Sequence, residues 1–196
     1  WFFMSALYMQ GVLGYSPLQV GLAFLPSNLI MAAFSFGLSE RVVTRFGIRL
    51  PMSLGLGLAA VGLLLFTRAP LDGTYLVDVL PGMVLLGFGA GMAFNPVFLA
   101  AMNDVAPEDS GLASGVVNTS FMMGGALGLA VLASLAASRS AALLAAGRDA
   151  LAALNGGYHA AFLVGALFAI TASAVGALGL SSTVDDAPAQ GAAPTH

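Results

Sequence analysis

Charged residues in this chain come in short clusters, and the stretches between them stay apolar for about twenty residues, the length that crosses a bilayer as a helix. Residues 1–13 form a shorter apolar run ending at Gly14, Tyr15, Ser16 and Pro17, and read as the outer part of a truncated first helix. Pro17 opens a second helix over residues 18–38. A short polar connection, residues 40–49, precedes a third helix from Pro51 to about Phe66. After a connection over residues 68–78, Pro81 opens a fourth helix that runs to about Met102. A fifth occupies most of residues 103–131, an Ala-rich segment with Arg139, Arg148 and Asp149 follows, and a sixth runs over residues 158–180.

Pro17, Pro51, Pro81 and Pro107 stand at predicted helix starts, where the missing N–H would be unpaired in any case. Pro26 and Pro96 fall inside spans, where each frees the carbonyl four residues earlier, that of Leu22 or Met92. Such a proline is either a static kink or a hinge beside a substrate path. The fifth helix has the clearest start, with Pro107 at its opening and Glu108 and Asp109 in the first turn, where the helix dipole is positive. From Gly111 to Ser138 no side chain is ionisable, roughly 40 Å of helix.

Composition narrows the class further. Of 196 residues, 59% are hydrophobic and 8% charged, against about a quarter charged in globular domains. The chain therefore belongs in a membrane, with the lipid bilayer as its first partner. A net charge of −3 and dispersed arginines argue against nucleic acid. The absence of cysteine removes thiolate metal sites and disulfides. His159, placed at a helix mouth, and His196, the last residue, lie too far apart to suggest a metal site. No cofactor is implied, and no nucleophile and base pairing, phosphate loop or zinc motif points to an enzyme. The opening Trp-Phe-Phe-Met has no basic leader, so it is not a signal peptide, and the sequence reads as a piece of a longer chain. Residues 181–196, rich in Asp, Ala, Pro and Gly, are expected to be a disordered cytoplasmic tail after a membrane domain over residues 1–180.

Orientation rests on one compact loop. Arg41, Arg45 and Arg49 fall within about ten residues beside two helix ends, which places that loop in the cytoplasm. Six crossings then put both ends of the chain there as well.

Gln10, Asn28, Asn95 and Asn118 are the amides within the predicted spans. An amide facing lipid leaves its polar atoms unpaired, so each either bonds across helices or lines a wet passage. At 100° per residue, Ala113, Val117, Ser120, Gly124 and Gly128 share a narrow stripe on helix five, with Asn118 about 120° away. The spacing of Gly124 and Gly128, and of Gly87 and Gly91 on helix four, suits close helix packing. No ionisable residue lies deep in a predicted span, so a proton-coupling group, if there is one, belongs to a part of the protein outside this sequence.

Several of these pieces together resemble the C-terminal half of a major facilitator superfamily transporter, most closely the branch of roughly fourteen-span drug:proton antiporters. The resemblance rests on Leu7-Tyr8 and Gln10 with Gly14-Tyr15-Ser16-Pro17-Leu18 and Gly21 to Pro26, and on Thr44-Arg45-Phe46-Gly47-Ile48-Arg49, which is similar to a degenerate copy of the family's loop motif D-R-x-G-R. It also rests on Asp104 with Pro107-Glu108, on Gly111, Ala113-Ser114-Gly115 and Asn118, and on Gly124-Gly125-Ala126-Leu127-Gly128. In two places the sequence departs from the pattern. Thr44 replaces the motif's acid, which removes the charge on which gating by that loop would depend. Phe121 and Met122 stand where many relatives carry Arg or Gln, which implies a more apolar passage or a different substrate.

The resemblance implies an all-α membrane protein of six helices arranged as two inverted three-helix repeats, with a small-molecule substrate held between this half and a missing N-terminal half of the same chain. It implies proton-coupled export of small amphipathic compounds or drugs across the cell membrane by alternating access. Transport of another metabolite, a channel and a non-transporting scaffold remain the rival readings.

Overall fold

The computed structural model describes residues 1–34, 39–102 and 105–179. The predicted tail with His196, Asn103 and Asp104, and the predicted ends of the second and sixth helices, residues 35–38 and 180, lie outside the described residues. All the regular structure among the described residues is helical. Four helical stretches are long and apolar enough to cross a membrane: Arg49–Phe66, Tyr75–Ala101, Pro107–Ala145 and Ala150–Leu178. Pro17–Ala33 is a shorter apolar stretch. This is a multi-pass membrane protein.

The first helix, α1 (Phe2–Gly11), ends where Gly14 takes a φ of +71°, a conformation that costs a glycine little. Ser16 then starts α2 (Pro17–Ala23) with a reciprocal capping box: its hydroxyl accepts from Gln19 N–H at 3.4 Å, and Gln19 Oε1 accepts from Ser16 N–H at 2.8 Å. The predicted second span is broken. It stops at Phe24 and resumes as α3 (Leu25–Ala33), with Pro26 in the first turn of the new helix.

The polar connection expected over residues 40–49 is instead mostly helix, α4 (Ser39–Phe46). Its sequence alternates charged and apolar positions at helical spacing, and Gly47, at a φ of +72°, ends it with its N–H on the Val43 carbonyl at 2.8 Å. Next come α5 (Arg49–Phe66) and a loop over residues 67–74. Asp78, expected in that loop, belongs to a π-helical turn, Tyr75–Val79, that leads into α6 (Leu80–Ala101). Its carboxylate reaches back to Thr74 N–H at 2.7 Å, four residues earlier rather than the usual three, because the π turn is one residue wider.

The largest differences from the sequence reading concern the last two helices. The fifth predicted helix does not stop near Val131 but continues through Arg139 as α7 (Ser110–Ala145), after a 3₁₀ turn at Pro107–Asp109. The sixth begins at Ala150 rather than near Tyr158, as α8 (Ala150–Gly179). The Ala-rich segment read as a connection is thus helix on both sides, and alanine is the best helix former there is. A compact reversal joins the two. Gly147, at a φ of +79°, and Arg148 donate to the Leu144 and Leu143 carbonyls at 2.9 and 3.0 Å, and Asp149 caps α8 through Leu151 N–H at 3.0 Å.

Packing runs in a chain of neighbours: α3 against α6, α6 against α5, α5 against α8 and α8 against α7. Because lipid is as apolar as a leucine side chain, close backbone approach has to drive this association. Glycines permit it on two faces of α6. A side chain at Gly89 would come 2.6 Å from the Gly55 carbonyl, and one at Gly55 would come 2.7 Å from the Gly89 carbonyl. Gly62 and Gly82 meet in the same reciprocal way one level along. A side chain at Gly87 or Gly91, about 140° and 180° round from Gly82, would come instead within 2.9 Å of the Ser27 backbone or of the Phe34 ring. An aromatic core closes one end of the bundle, with Phe66 stacked on Phe162 at 4.9 Å and edge-on to Tyr8 at 6.3 Å.

Candidate functional site

The predicted passage residues are open to their surroundings or half-buried. Gln10 on α1, Asn28 on α3 and Asn118 on α7 are exposed, and Asn95 on α6 is half-buried. None of their side chains bonds to a described residue, so the interhelical hydrogen bonds that would explain them structurally are not made among the described residues.

Two of them lie on helices that meet in an aromatic contact. Phe94 of α6 and Phe121 of α7 meet edge to face with ring centroids 5.7 Å apart. Asn95 follows Phe94 directly, and Asn118 precedes Phe121 by three residues, about 60° round the same helix. Asn95 and Asn118 are therefore each within one turn of this contact along their own helices. Asn28 is on α3, which packs on the Gly87 and Gly91 face of α6, and Phe94 lies within about 60° of both glycines, so α3 and this contact share a side of α6, while Gln10 is on α1.

On α7 the other side chains are mostly uncovered. Of its 36 residues only Ala136 is buried, and Phe121 and Met122 are 64% and 66% exposed. A hollow of about 450 Å³ lies along its first turns, lined by Gly111, Leu112, Gly115, Val116, Thr119 and Ser120. A side chain at Gly124 or Gly128, expected to pack, would meet nothing within 4 Å among the described residues. The α7 residues that do pack lie further on: Ala136, Ser140 and Leu143 press on Gly156 and Gly157 of α8.

The two prolines differ. Pro26 stands just after an interruption at Phe24, and beside it the buried Ala23 carbonyl accepts from the Tyr75 hydroxyl at 2.9 Å. Buried Pro96 lies inside the unbroken helical run of α6, which ends at Ala101, close to the expected Met102. Of the loop motif, Arg41 and Arg45 are exposed on α4 and Arg49 is half-buried at the start of α5. Arg45 lies over the Phe46 ring at 5.5 Å, and Gly47 supplies the left-handed turn between the two helices.

A polar cluster absent from the sequence reading sits at the other end of the bundle. Asn155 Nδ2 donates to the Ala69 carbonyl at 3.0 Å, His159 Nε2 lies 2.8 Å from the same oxygen, and the Tyr8 hydroxyl donates to the Pro70 carbonyl at 2.8 Å. Asn155 was passed over because the segment before Tyr158 read as a connection. His159 is not at a helix mouth but in the third turn of α8, and Arg139 is likewise inside α7. The spacing of Asn155 and His159, one turn apart, was the signal that could have found the pair.

The family model for the Major Facilitator Superfamily matches residues 1–129. This chain belongs to that superfamily. Among its facilitator relatives is the puromycin resistance protein pur8 of Streptomyces alboniger, 37% identical over 174 residues, which cover 85% of this chain and 35% of that protein. Another is the cephamycin export protein CmcT of Amycolatopsis lactamdurans, 36% identical over 70% of this chain and 28% of the relative. The multidrug resistance protein Stp of Mycobacterium tuberculosis is 33% identical over 72% of this chain and 26% of its own length. The chain thus spans about a third or less of the facilitators it matches.

Proposed function

We propose that this chain is the C-terminal half of an exporter that moves small amphipathic compounds or drugs across the cell membrane by alternating access, driven by a proton gradient. The observation that carries the reading is the uncovered face of α7 with Asn118 on it. A 36-residue apolar helix attached to its own chain through α8 needs a partner on its other side, and Asn118 would be stranded in lipid without a wet passage there. Relatives named for resistance and export support a drug-like substrate.

In this reading α1, α2 with α3, α5, α6, α7 and α8 are six crossings in two inverted repeats of three. Asn28 and Asn118 then occupy matching helices, as do Gln10 and Asn95. The packing of α5 on α8, the third helix of each repeat, supports that pairing. Exposed Arg41 and Arg45 mark the cytoplasmic side and put both ends of the chain there, with residues 181–196 as a tail. The proton-binding group belongs to the missing half, which would rock against this one around the substrate. Gly124 and Gly128 are proposed to pack on that half.

The full-length protein in proteoliposomes under an imposed proton gradient tests this. Drug movement is expected, and Asn118→Ala or Asn95→Ala should shift relative rates between substrates several-fold. Unchanged profiles at normal expression reject a lining role. A protein that moves no drug or metabolite supports the scaffold reading instead.

A further inference from the structure

Two helices and a loop converge on two consecutive carbonyls at one end of the bundle. Ala69 ends its helical neighbourhood just after Phe66, so its carbonyl has no successor in α5 to bond it. Asn155 and His159 supply that need from α8, across 86 and 90 residues of sequence. A carbonyl oxygen only accepts, through two lone pairs, so His159 Nε2 carries a hydrogen and both side chains donate to the one oxygen. Pro70, next along, takes the Tyr8 hydroxyl from α1. Tyr8, Ala69 and Asn155 are all buried, so these bonds do not compete with bulk water.

Neighbouring residues on α8 touch α1 directly. A side chain at Gly11 would lie 3.3 Å from Leu154 Cδ2 and 3.5 Å from the Tyr158 hydroxyl. One and a half turns of α8 therefore reach both the last turn of α1 and the loop over residues 67–74.

We infer that Asn155 and His159 are positioning residues that clasp this end of α1 and the 67–74 loop to α8, so that α1 travels with this half throughout the transport cycle. The inference rests on the reading of the chain as one rocking half of a transporter. It makes this junction a fixed joint and not a gate.

The test uses the full-length protein with Gly11→Cys and Leu154→Cys, any cysteines outside this cysteine-free stretch being replaced. A short bis-thiol reagent joins the pair. Crosslinked protein is expected to transport within about twofold of the uncrosslinked pair, since a fixed joint loses nothing by being locked. In the same background His159→Leu should slow crosslinking about fivefold, the worth of one lost hydrogen bond. His159→Gln, whose amide nitrogen reaches the Nε2 position, should restore the rate. Arrest of transport by the crosslink, or a His159→Leu variant that crosslinks as fast as its parent, overturns the inference. If the uncrosslinked pair moves no compound, the transport reading fails separately, and the contrast between the Leu and Gln variants still decides whether the clasp exists.

Discussion

Tyr75 shows how one hydroxyl can hold a broken helix inside a membrane. The helical run is interrupted at Phe24, just before Pro26, and the neighbouring Ala23 carbonyl is met by a phenol from the start of another helix. Phe24 itself is packed by Trp1 and Phe2, with centroids 5.7 and 5.2 Å away, and Ser27 Oγ donates to the Phe24 carbonyl at 2.9 Å. Replacing Tyr75 by Phe keeps the ring and removes only the bond. The expected loss is about 1 to 2 kcal/mol, read as a lower unfolding temperature of the detergent-solubilised protein. Gly47 offers a second single-residue check. At its φ of +72° an alanine carries a Cβ penalty of about 1 to 2 kcal/mol, so Gly47→Ala should destabilise the joint between α4 and α5 while removing no contact.

Between elements, the contrast is between α6 and α7. Both are rich in glycine, yet those of α6 face neighbours on two sides and those in the first half of α7 face none among the described residues. Gly89→Val in the full-length protein should force α5 and α6 apart and lower stability by about 1 to 3 kcal/mol. Gly115→Val, which opens into the α7 hollow, should leave the unfolding temperature nearly unchanged and act on transport instead. Glycine spacing alone did not separate these cases. Gly87 and Gly91 were legible as packing residues, but the contacts of Gly55 with Gly89 and of Gly62 with Gly82 are reciprocal across two helices and show only once both are placed. Helix starts marked by proline, at Pro17, Pro51, Pro81 and Pro107, were legible to within a residue or two. Helix ends were less so, since Arg139 interrupts hydropathy without interrupting a helix. The true stop, Gly147 followed by Asp149, is a capping signal that a reading by hydropathy passes over.

For the whole molecule, apolar runs were enough to place the chain in a membrane, and the quoted motifs pointed to the superfamily that the family model matches. The site was legible only in part. Asn118 and Asn95 were found as polar residues in spans, but the contact of Phe94 with Phe121, within one turn of each, depends on how α6 and α7 approach. The carbonyl at Ala69 and its donors are 86 and 90 residues apart, beyond any local pattern. If α7 borders a water-filled passage, Phe121→Cys in the full-length transporter should react with a membrane-impermeant maleimide and be protected by substrate. Leu178→Cys, at a position 84% exposed near the far end of α8, should give no substrate protection.

The unequal anchoring of α6 and α7 bears on how such a protein can change over generations. Substitutions along α6 are screened from two directions, because a larger side chain collides with α3 or with α5 before any question of function arises. The first half of α7 answers to no such constraint from its own chain. New side chains can accumulate there while the remaining helices still assemble, so the helix nearest the proposed passage is also the one on which mutation has the most freedom to try new shapes.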